Sequence, residues 1–580
     1  MSLQSLLCRL LVLLVPLAVT SSLYLYLYPV VHGCAFPLPQ HDSHSFSDAF
    51  LATVRQHMPI DAEPAPAAPF RLLVLADPQL EGDSSLPKAE DELPARLRLH
   101  WGQIRAALTS PALPLNSSSA TDADALHSLL HTDLPRTLKA ARKRLDLLGN
   151  DYYLAHIYRT LHWWTQPTHV TVLGDLIGSQ WVSDEEFQRR GHRYWGRVFQ
   201  GGVRGDSFIP SSAPPADTDE DDEDEDDDFA LNPTTQPSRW TNRLLNIVGN
   251  HDIGYAGDAS AARIARFEET FGKVNWDVKF WLNTSSSSAS ASASKHDATP
   301  KIHIINLNSL TLDTPAYSRD IQSASYDYLN ALIADRLAPV TDRSTFTLLL
   351  THLPLHKRAG VCVDAPHFKF FEEDDDSPAG EEKRWFAGGL REQNHLSEWV
   401  SGNGVLEGVF GMSGDGAVEG GGLGRKGLVL TGHDHEGCDV LHFVRWDAAA
   451  AAAAADADPE QRDWQWDAKR YSSAQEAATT TSTSTPSIRE VTMRSMMGAY
   501  GGYAGLLSVW FDVDKQEWEY EIQMCAAGVQ HIWWAVHVVD LVALGVAVVV
   551  AVLLLLTAVR SKKPQERKDD VKTRPEKVKT

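Results

Sequence analysis

The sequence predicts an α/β fold carried between two transmembrane helices. Short apolar runs of strand length alternate with longer stretches of helical periodicity. Long segments poor in charge lie near both ends. Five of the short runs stop at an Asp, Asn or His. Such residues, placed beyond the carboxyl ends of neighbouring strands, converge on one rim of an α/β fold.

The chain has 580 residues, enough for a large core. Its net charge of -23 argues against nucleic-acid binding, which leaves a basic footprint. Five cysteines, Cys8, Cys34, Cys362, Cys438 and Cys525, lack close-paired metal spacing. Cys362 and Cys438 fall in the folded part, where a disulfide and two buried thiols are both open.

The first apolar segment runs over 6–31. Arg9 is its only charge, and no clean small-residue cleavage site follows, so it reads as an anchor rather than a cleaved signal. The second runs over 532–559, with His537 and Asp540 near its start and Arg560, Lys562 and Lys563 after it. About 20 apolar residues span a bilayer core. The basic tail, 560–580, is placed in the cytosol by the positive-inside rule, and the middle of the chain in the lumen. Cleavage of the first segment would leave that side unchanged. Sequons at Asn116 and Asn283 agree with it.

In order, the expected units are a cytosolic stub and anchor over 1–31, a Pro-, Ala- and His-rich stem over 32–69, a catalytic domain over 70–525, the span and the tail. Within the domain, strands are expected at 70–76, 169–173, 244–248, 302–307, 346–350 and 428–430, with two last strands near 504–512 and 516–523. Helical patterns cover 92–108, 122–162, 184–201 and 317–337, the third capped by Ser183 or Asp184. Low-complexity insertions are expected near 203–240, 284–295, 371–425 and 448–486. The first holds the carboxylate run 217–228, read as a solvated loop rather than a cation cage, because adjacent like charges repel.

The strand ends carry the chemistry. They read Asp77, Gly174-Asp175, Gly249-Asn250-His251-Asp252, His352 and Gly432-His433-Asp434-His435. Carboxylate, amide and imidazole donors suit manganese, zinc or iron. Asp175 is placed to bridge two ions, with Asp77 and His435 completing one and Asn250, His352 and His433 the other. A water between the ions would attack phosphorus in line. His251 would protonate the leaving oxygen, and Asp252 would orient its ring. Glycines beside the ligands let the chain turn in a crowded centre.

This ordered set resembles the calcineurin-like metallophosphoesterase superfamily over roughly 70–445. The resemblance implies two facing mixed β-sheets flanked by helices. It also implies the ligands Asp77, Asp175, Asn250, His352, His433 and His435, with His251 as the catalytic imidazole. Gln79 stands where most members have a ligating His, so it is expected to be a weak ligand or to hold water. The stretches ADPQLEG (76–82), LGDLIGSQWVSDEEF (173–187) and RYW (193–195), with the two flanking spans, are similar to the endoplasmic-reticulum branch that removes ethanolamine phosphate from mannose of glycosylphosphatidylinositol (GPI) anchors. That branch implies two manganese ions, with zinc or iron as alternatives. It implies GPI-anchored proteins or the GPI glycolipid as substrate. It also implies the endoplasmic-reticulum or early Golgi membrane as location, with the export machinery as a candidate partner. A phosphomonoesterase, a nucleotide or lipid phosphodiesterase, and a catalytically impaired trafficking adaptor are the alternatives. Trp181, Arg193, Tyr194 and Trp195 are expected either to line a pocket or to pack a helix on the sheet. Asp184 and Glu185 are expected to stand in a helix first turn rather than at a substrate ammonium.

Overall fold

The computed structural model describes residues 3–39, 46–58, 67–82, 86–109, 127–209, 229–231, 239–282, 299–336, 338–378, 380, 382–446, 463–472 and 485–561. The carboxylate run at 217–228, the Ser/Ala-rich stretch 284–295, both sequons and the tail beyond 561 lie outside the described residues, as does most of 448–486.

Two large mixed sheets form the body, flanked by helices. The strands are β1 (Phe70–Leu75), β2 (His169–Leu173), β3 (Val203–Arg204), β4 (Ala230–Leu231), β5 (Arg243–Ile247), β6 (Trp276–Leu282), β7 (Lys301–Asn306) and β8 (Thr345–Leu350). They continue with β9 (Phe368–Phe370), β10 (Leu390–Gln393), β11 (Gly427–Thr431), β12 (Cys438–Trp446), β13 (Trp464–Arg470), β14 (Ser487–Thr492), β15 (Tyr503–Asp512) and β16 (Glu517–Ala526). The first sheet has the order β16-β15-β1-β2-β5-β3, and the second β13-β12-β14-β11-β8-β7-β6-β4. β1, β2 and β5 run parallel in the first sheet. β7, β8, β11 and β14 run parallel in the second. β9 and β10 form a separate antiparallel pair.

The side-chain period of two explains why the central strands read as unbroken apolar runs. Phe70, Leu72 and Val74 of β1 join one buried cluster with Ile302, Ile304, Phe346, Leu348 and Leu428 of the other sheet. The alternate residues Leu73, Leu75, Val170, Val172, Ile305, Leu349 and Val429 belong to a second cluster that includes helix residues. Both faces of each central strand are therefore covered.

The labelled helices are α1 (Leu3–Tyr26), α2 (Phe46–His57), α3 (Leu93–Thr109), α4 (Leu134–Thr165), α5 (Asp184–Arg193), α6 (Asn250–Ile253), α7 (Ala261–Thr270), α8 (Arg319–Ala331) and α9 (Gln530–Ser561). Ser183 caps α5 by accepting from Glu186 N, and three carboxylates fill its first turn. α1 and α9 are long and apolar enough to cross a membrane. They pack on one another, and Ser22 Oγ donates to Asp540 Oδ2 at 2.9 Å. The acid in the apolar helix α9 thus has its partner in α1.

Several expectations are corrected. The stem contains α2, whose His57 Nε2 lies 2.8 Å from the Trp164 carbonyl. The insertion expected near 371–425 includes a wide helical stretch, Val400–Val409, because Val400, Val405, Leu406 and Val409 bury themselves. β13 lies within the expected 448–486 insertion, with Trp464 and Ala468 buried. β3 and β4 narrow the 203–240 insertion.

Two disulfides tie the fold. Cys362–Cys438 fixes the start of β12, which settles one open alternative. Cys34–Cys525 joins the chain leaving α1 to the end of β16, just before α9. A maleimide count on unreduced, denatured protein is expected to find one thiol, Cys8. Cys34→Ser and Cys438→Ser should each raise the count to two. Cys438→Ser should also cost about 2–4 kcal/mol in denaturant unfolding.

Candidate metal centre

The carboxyl ends of β1, β2 and β5 meet those of β8 and β11 on one rim. Asp77 follows β1, Asp175 follows β2, Asn250 opens α6 after β5, His352 follows β8, and His433 and His435 follow β11. The loops after β1 and β2 run together: Gln79 N donates to Asp175 O at 2.8 Å and Leu80 N to Leu176 O at 3.2 Å. The second sheet is stitched similarly, with Gly432 N donating to His352 O at 3.2 Å. The rim demands close approach. Gly174 sits at φ +85°, and a Cβ there would meet the His352 ring. A Cβ on Gly249 would strike the Asp175 backbone and carboxylate.

Two groups share Asp175 and could each hold a metal ion. One is Asp175, His352 and His433; the other is Asp77, Asp175 and His435. Within each group the ligand atoms lie within 4.8 Å of one another. Asn250 completes the first group, its Oδ1 standing 2.9 Å from both His352 Nε2 and His433 Nδ1. The far ring nitrogens are held by backbone carbonyls, His352 Nδ1 by Leu173 O at 2.9 Å and His433 Nε2 by Gln393 O at 3.0 Å. Those bonds place the ring protons away from the centre and leave His352 Nε2 and His433 Nδ1 with lone pairs that can ligate a metal there.

The electrostatics suit a divalent cation. Burial pushes the imidazoles of His352, His433 and His435 down, so they stand neutral, His433 falling to about 3. Burial opposes ionisation of Asp175, but the positive forms of His352, His251 and His433, which gather as the pH falls, outweigh it and hold the carboxyl at about 2. Asp77 is driven well up by burial and then by the neighbouring Asp175. Its Oδ1 accepts from His433 N at 3.1 Å, whereas Oδ2 is buried without a partner. An orphaned buried carboxylate oxygen beside neutral imidazoles is what a divalent ion would satisfy.

Gln79 occupies the doubtful position. Its Nε2 donates to Asp175 Oδ2 at 3.0 Å and lies 3.1 Å from His435 Nε2. It thus turns a donor toward two ligand atoms, and an oxygen ligand would require the amide to reverse. His251 is partly exposed, with Nε2 3.9 Å from Asp175 Oδ2, and its backbone N–H donates to Asp175 Oδ1 at 2.8 Å. The expected support of His251 by Asp252 is not made. Asp252 is fully buried and accepts from the backbone N–H groups of Gly249, Leu176 and Ile177 at 2.8, 3.2 and 3.0 Å. Its task is to pin the ligand-bearing loops after β2 and β5 together.

A cavity of about 500 Å³ opens beside the centre and reaches Gln79, Asp175, Asn250, His251, His433 and His435. Its outer wall comes from a part of the chain that carried no motif: Asp364, His367, and Arg391 to His395 around β10. His395 is buried there with Nδ1 unpartnered. Only the Gln393 carbonyl touches a ligand, and a backbone acceptor leaves no mark in a sequence. Trp181 also lines the cavity, with Arg263 over its ring at 4.3 Å. The neighbours singled out with it pack α5 instead. Arg193 grips Asp151 with two bonds of 2.8 and 2.6 Å, Tyr194 donates to Asn246 and Trp195 to Thr270 O. Asp184 pairs with Arg266 at 3.0 Å.

Calorimetric titration with Mn²⁺ is expected to give two ions per chain. Asp175→Ala should abolish both. His435→Ala should spare the ion beside Asn250, and Gln79→His should tighten the other. Asp252→Asn places an amide against three N–H donors, and should cost about 1–3 kcal/mol in denaturant unfolding.

No protein-family model matches the chain. It is 27% identical over 408 residues, 68% of this chain and 78% of the relative, to an uncharacterized protein of Schizosaccharomyces pombe. It is 32% identical over 416 residues, 67% of this chain and 75% of the relative, to Protein TED1 of Saccharomyces cerevisiae. With a third of the aligned positions identical across most of both chains, this protein belongs to the family of yeast TED1.

Proposed function

We propose that this protein is a metal-dependent phosphodiesterase that removes ethanolamine phosphate from a mannose of GPI anchors during remodelling. The observation that carries the proposal is Asp175, one buried carboxylate common to two ligand groups on the rim of a cavity. The substrate class rests on the similarity of ADPQLEG, LGDLIGSQWVSDEEF and RYW to the GPI-processing branch. The wall chemistry supports it. Arg391 suits a phosphate, and a second set on the same wall, Asp364 and Asp434, suits an ammonium, Glu392 being already paired with His367 and Lys369. A simple phosphate monoester would use only the first set.

Asp77, Asp175 and His435 would hold one ion, and Asp175, Asn250, His352 and His433 the other. Divalent ions there supply Lewis acidity toward the phosphoryl oxygens and lower the pKa of an attacking water. The chain's own residues do the rest. Asp175 keeps its charge beside three imidazoles, so the donor set is ready without reorganisation. His251 stands at the cavity with its ring partly exposed, where it can hand a proton to the departing sugar oxygen. The rigid loops pinned by Asp252 keep His251 and the ligands in register.

The two disulfides suit an oxidising compartment. Together with the two apolar helices they support an endoplasmic-reticulum membrane protein with the domain over 70–525 in the lumen and the basic tail in the cytosol.

Mass analysis of GPI glycans from cells lacking the protein is the test. Ethanolamine phosphate is expected to persist on one mannose and to be removed on rescue with the unaltered chain but not with Asp175→Asn. In a purified assay His251→Ala should lower kcat by about 10²–10⁴-fold with the Mn²⁺ stoichiometry unchanged. Unchanged GPI glycans, or turnover of simple monoesters alone, would sink the proposal.

A further inference from the structure

A second cavity, of about 530 Å³, lies away from the metal centre, between α1, α4 and α9. Tyr26 comes from the end of α1, Tyr152, His156 and Trp163 from α4, and Trp533 and His537 from the first turns of α9. It sits a turn above the Ser22–Asp540 bond, at the level where the two apolar helices leave the folded body. Trp163 and Tyr26 are each more than half exposed, as interfacial aromatic residues are.

Inside this aromatic enclosure stands one unsatisfied polar atom. His156 is 7% exposed and its Nε2 has no hydrogen-bond partner. The ring edge meets Tyr26 at 5.1 Å between centroids. Burial pushes the imidazole down to about 4, so it is neutral. With the imidazole's single proton on Nδ1, Nε2 presents a lone pair to the cavity. The cavity then offers aromatic faces, which attract a cation, and at Nε2 an acceptor, which requires a donor. Arg159 lines the same cavity. Its Nη2 bonds the Arg197 carbonyl at 3.0 Å and Gln200 Oε1 at 2.8 Å, which orients the guanidinium without using all five of its N–H donors.

We infer that this cavity binds the head of a membrane phospholipid bearing a primary ammonium, of the phosphatidylethanolamine class. The ammonium lies among the aromatic rings and donates to His156 Nε2, the phosphate meets Arg159, and the acyl chains run along α1 and α9. A quaternary ammonium would satisfy the rings but offers no N–H to His156. A glycerol head offers a hydroxyl but no cation. The inference rests on the membrane reading of α1 and α9, and is independent of the phosphodiesterase reading.

The full chain, placed in nanodiscs of phosphatidylcholine containing equal fractions of phosphatidylethanolamine and phosphatidylglycerol, is released and weighed by native mass spectrometry. Retention of phosphatidylethanolamine is expected to exceed that of either other lipid by roughly fivefold or more. Trp163→Ala, at an exposed position, and His156→Phe, which keeps the ring volume, should each abolish the preference. Equal retention of the three lipids, or a preference untouched by Trp163→Ala, overturns the inference. Flotation with vesicles tests the membrane reading separately. A chain that does not float overturns both, and one that floats without headgroup preference overturns only the lipid site.

Discussion

Burying a carboxylate costs several kcal/mol unless groups of opposite polarity surround it, and Asp175 is 1% exposed. The rest of the centre answers that cost. The backbone N–H of His251 and the amide of Gln79 donate to it at 2.8 and 3.0 Å, and a cation shared with the ring of His352, 3.4 Å away, would complete the set. Each comes from a different strand end. The convergence of β2 with β1, β5 and β8 is thus as much an electrostatic requirement as a packing one. Remove the charge and the loops lose the group they share.

The same crowding shows in the backbone. Asp77, Gln79, Asp175 and His433 all take positive φ, at 51°, 40°, 51° and 71°. Residues with a Cβ pay roughly 1–3 kcal/mol each for such conformations and hold them only where the surroundings over-determine them. Here the surroundings are two large sheets whose central strands are covered on both faces. The large core is what makes four strained residues tolerable in one small volume, and three of the four are carboxylate or imidazole donors aimed inward.

The sequence carried this centre well because strand and ligand are written together. A run such as Leu72 to Leu75 followed by Asp77 states both where the strand stops and what stands at its end. The two-sided burial of parallel strands also leaves an unbroken apolar signature that few loops imitate. Strands at and next to the sheet edge were harder. β12 and β13 alternate apolar with polar residues, and β13 is flanked by low-complexity stretches on both sides, so its periodicity is short and interrupted. The contacts of Asp252 are less legible in the sequence for a different reason. On α6 a carboxylate next to an imidazole in sequence lies about 100° around the axis from it, and its partners are backbone N–H groups, two of them in a loop about 75 residues earlier. The hairpin of β9 and β10 walls the cavity with residue types that any exposed turn would carry.

The bond between Cys34 and Cys525 closes nearly the whole folded body into a covalent ring whose two ends continue as α1 and α9. In a ring, one cut does not separate anything. A protease that opened the chain anywhere between those cysteines would leave both pieces joined, each still carrying its own apolar helix. Release of the body would take two backbone cuts outside the ring, one on each side, because one cut inside it, even with a reductant, leaves each piece on its own helix. A single backbone nick within the ring thus leaves the chain in one covalent piece.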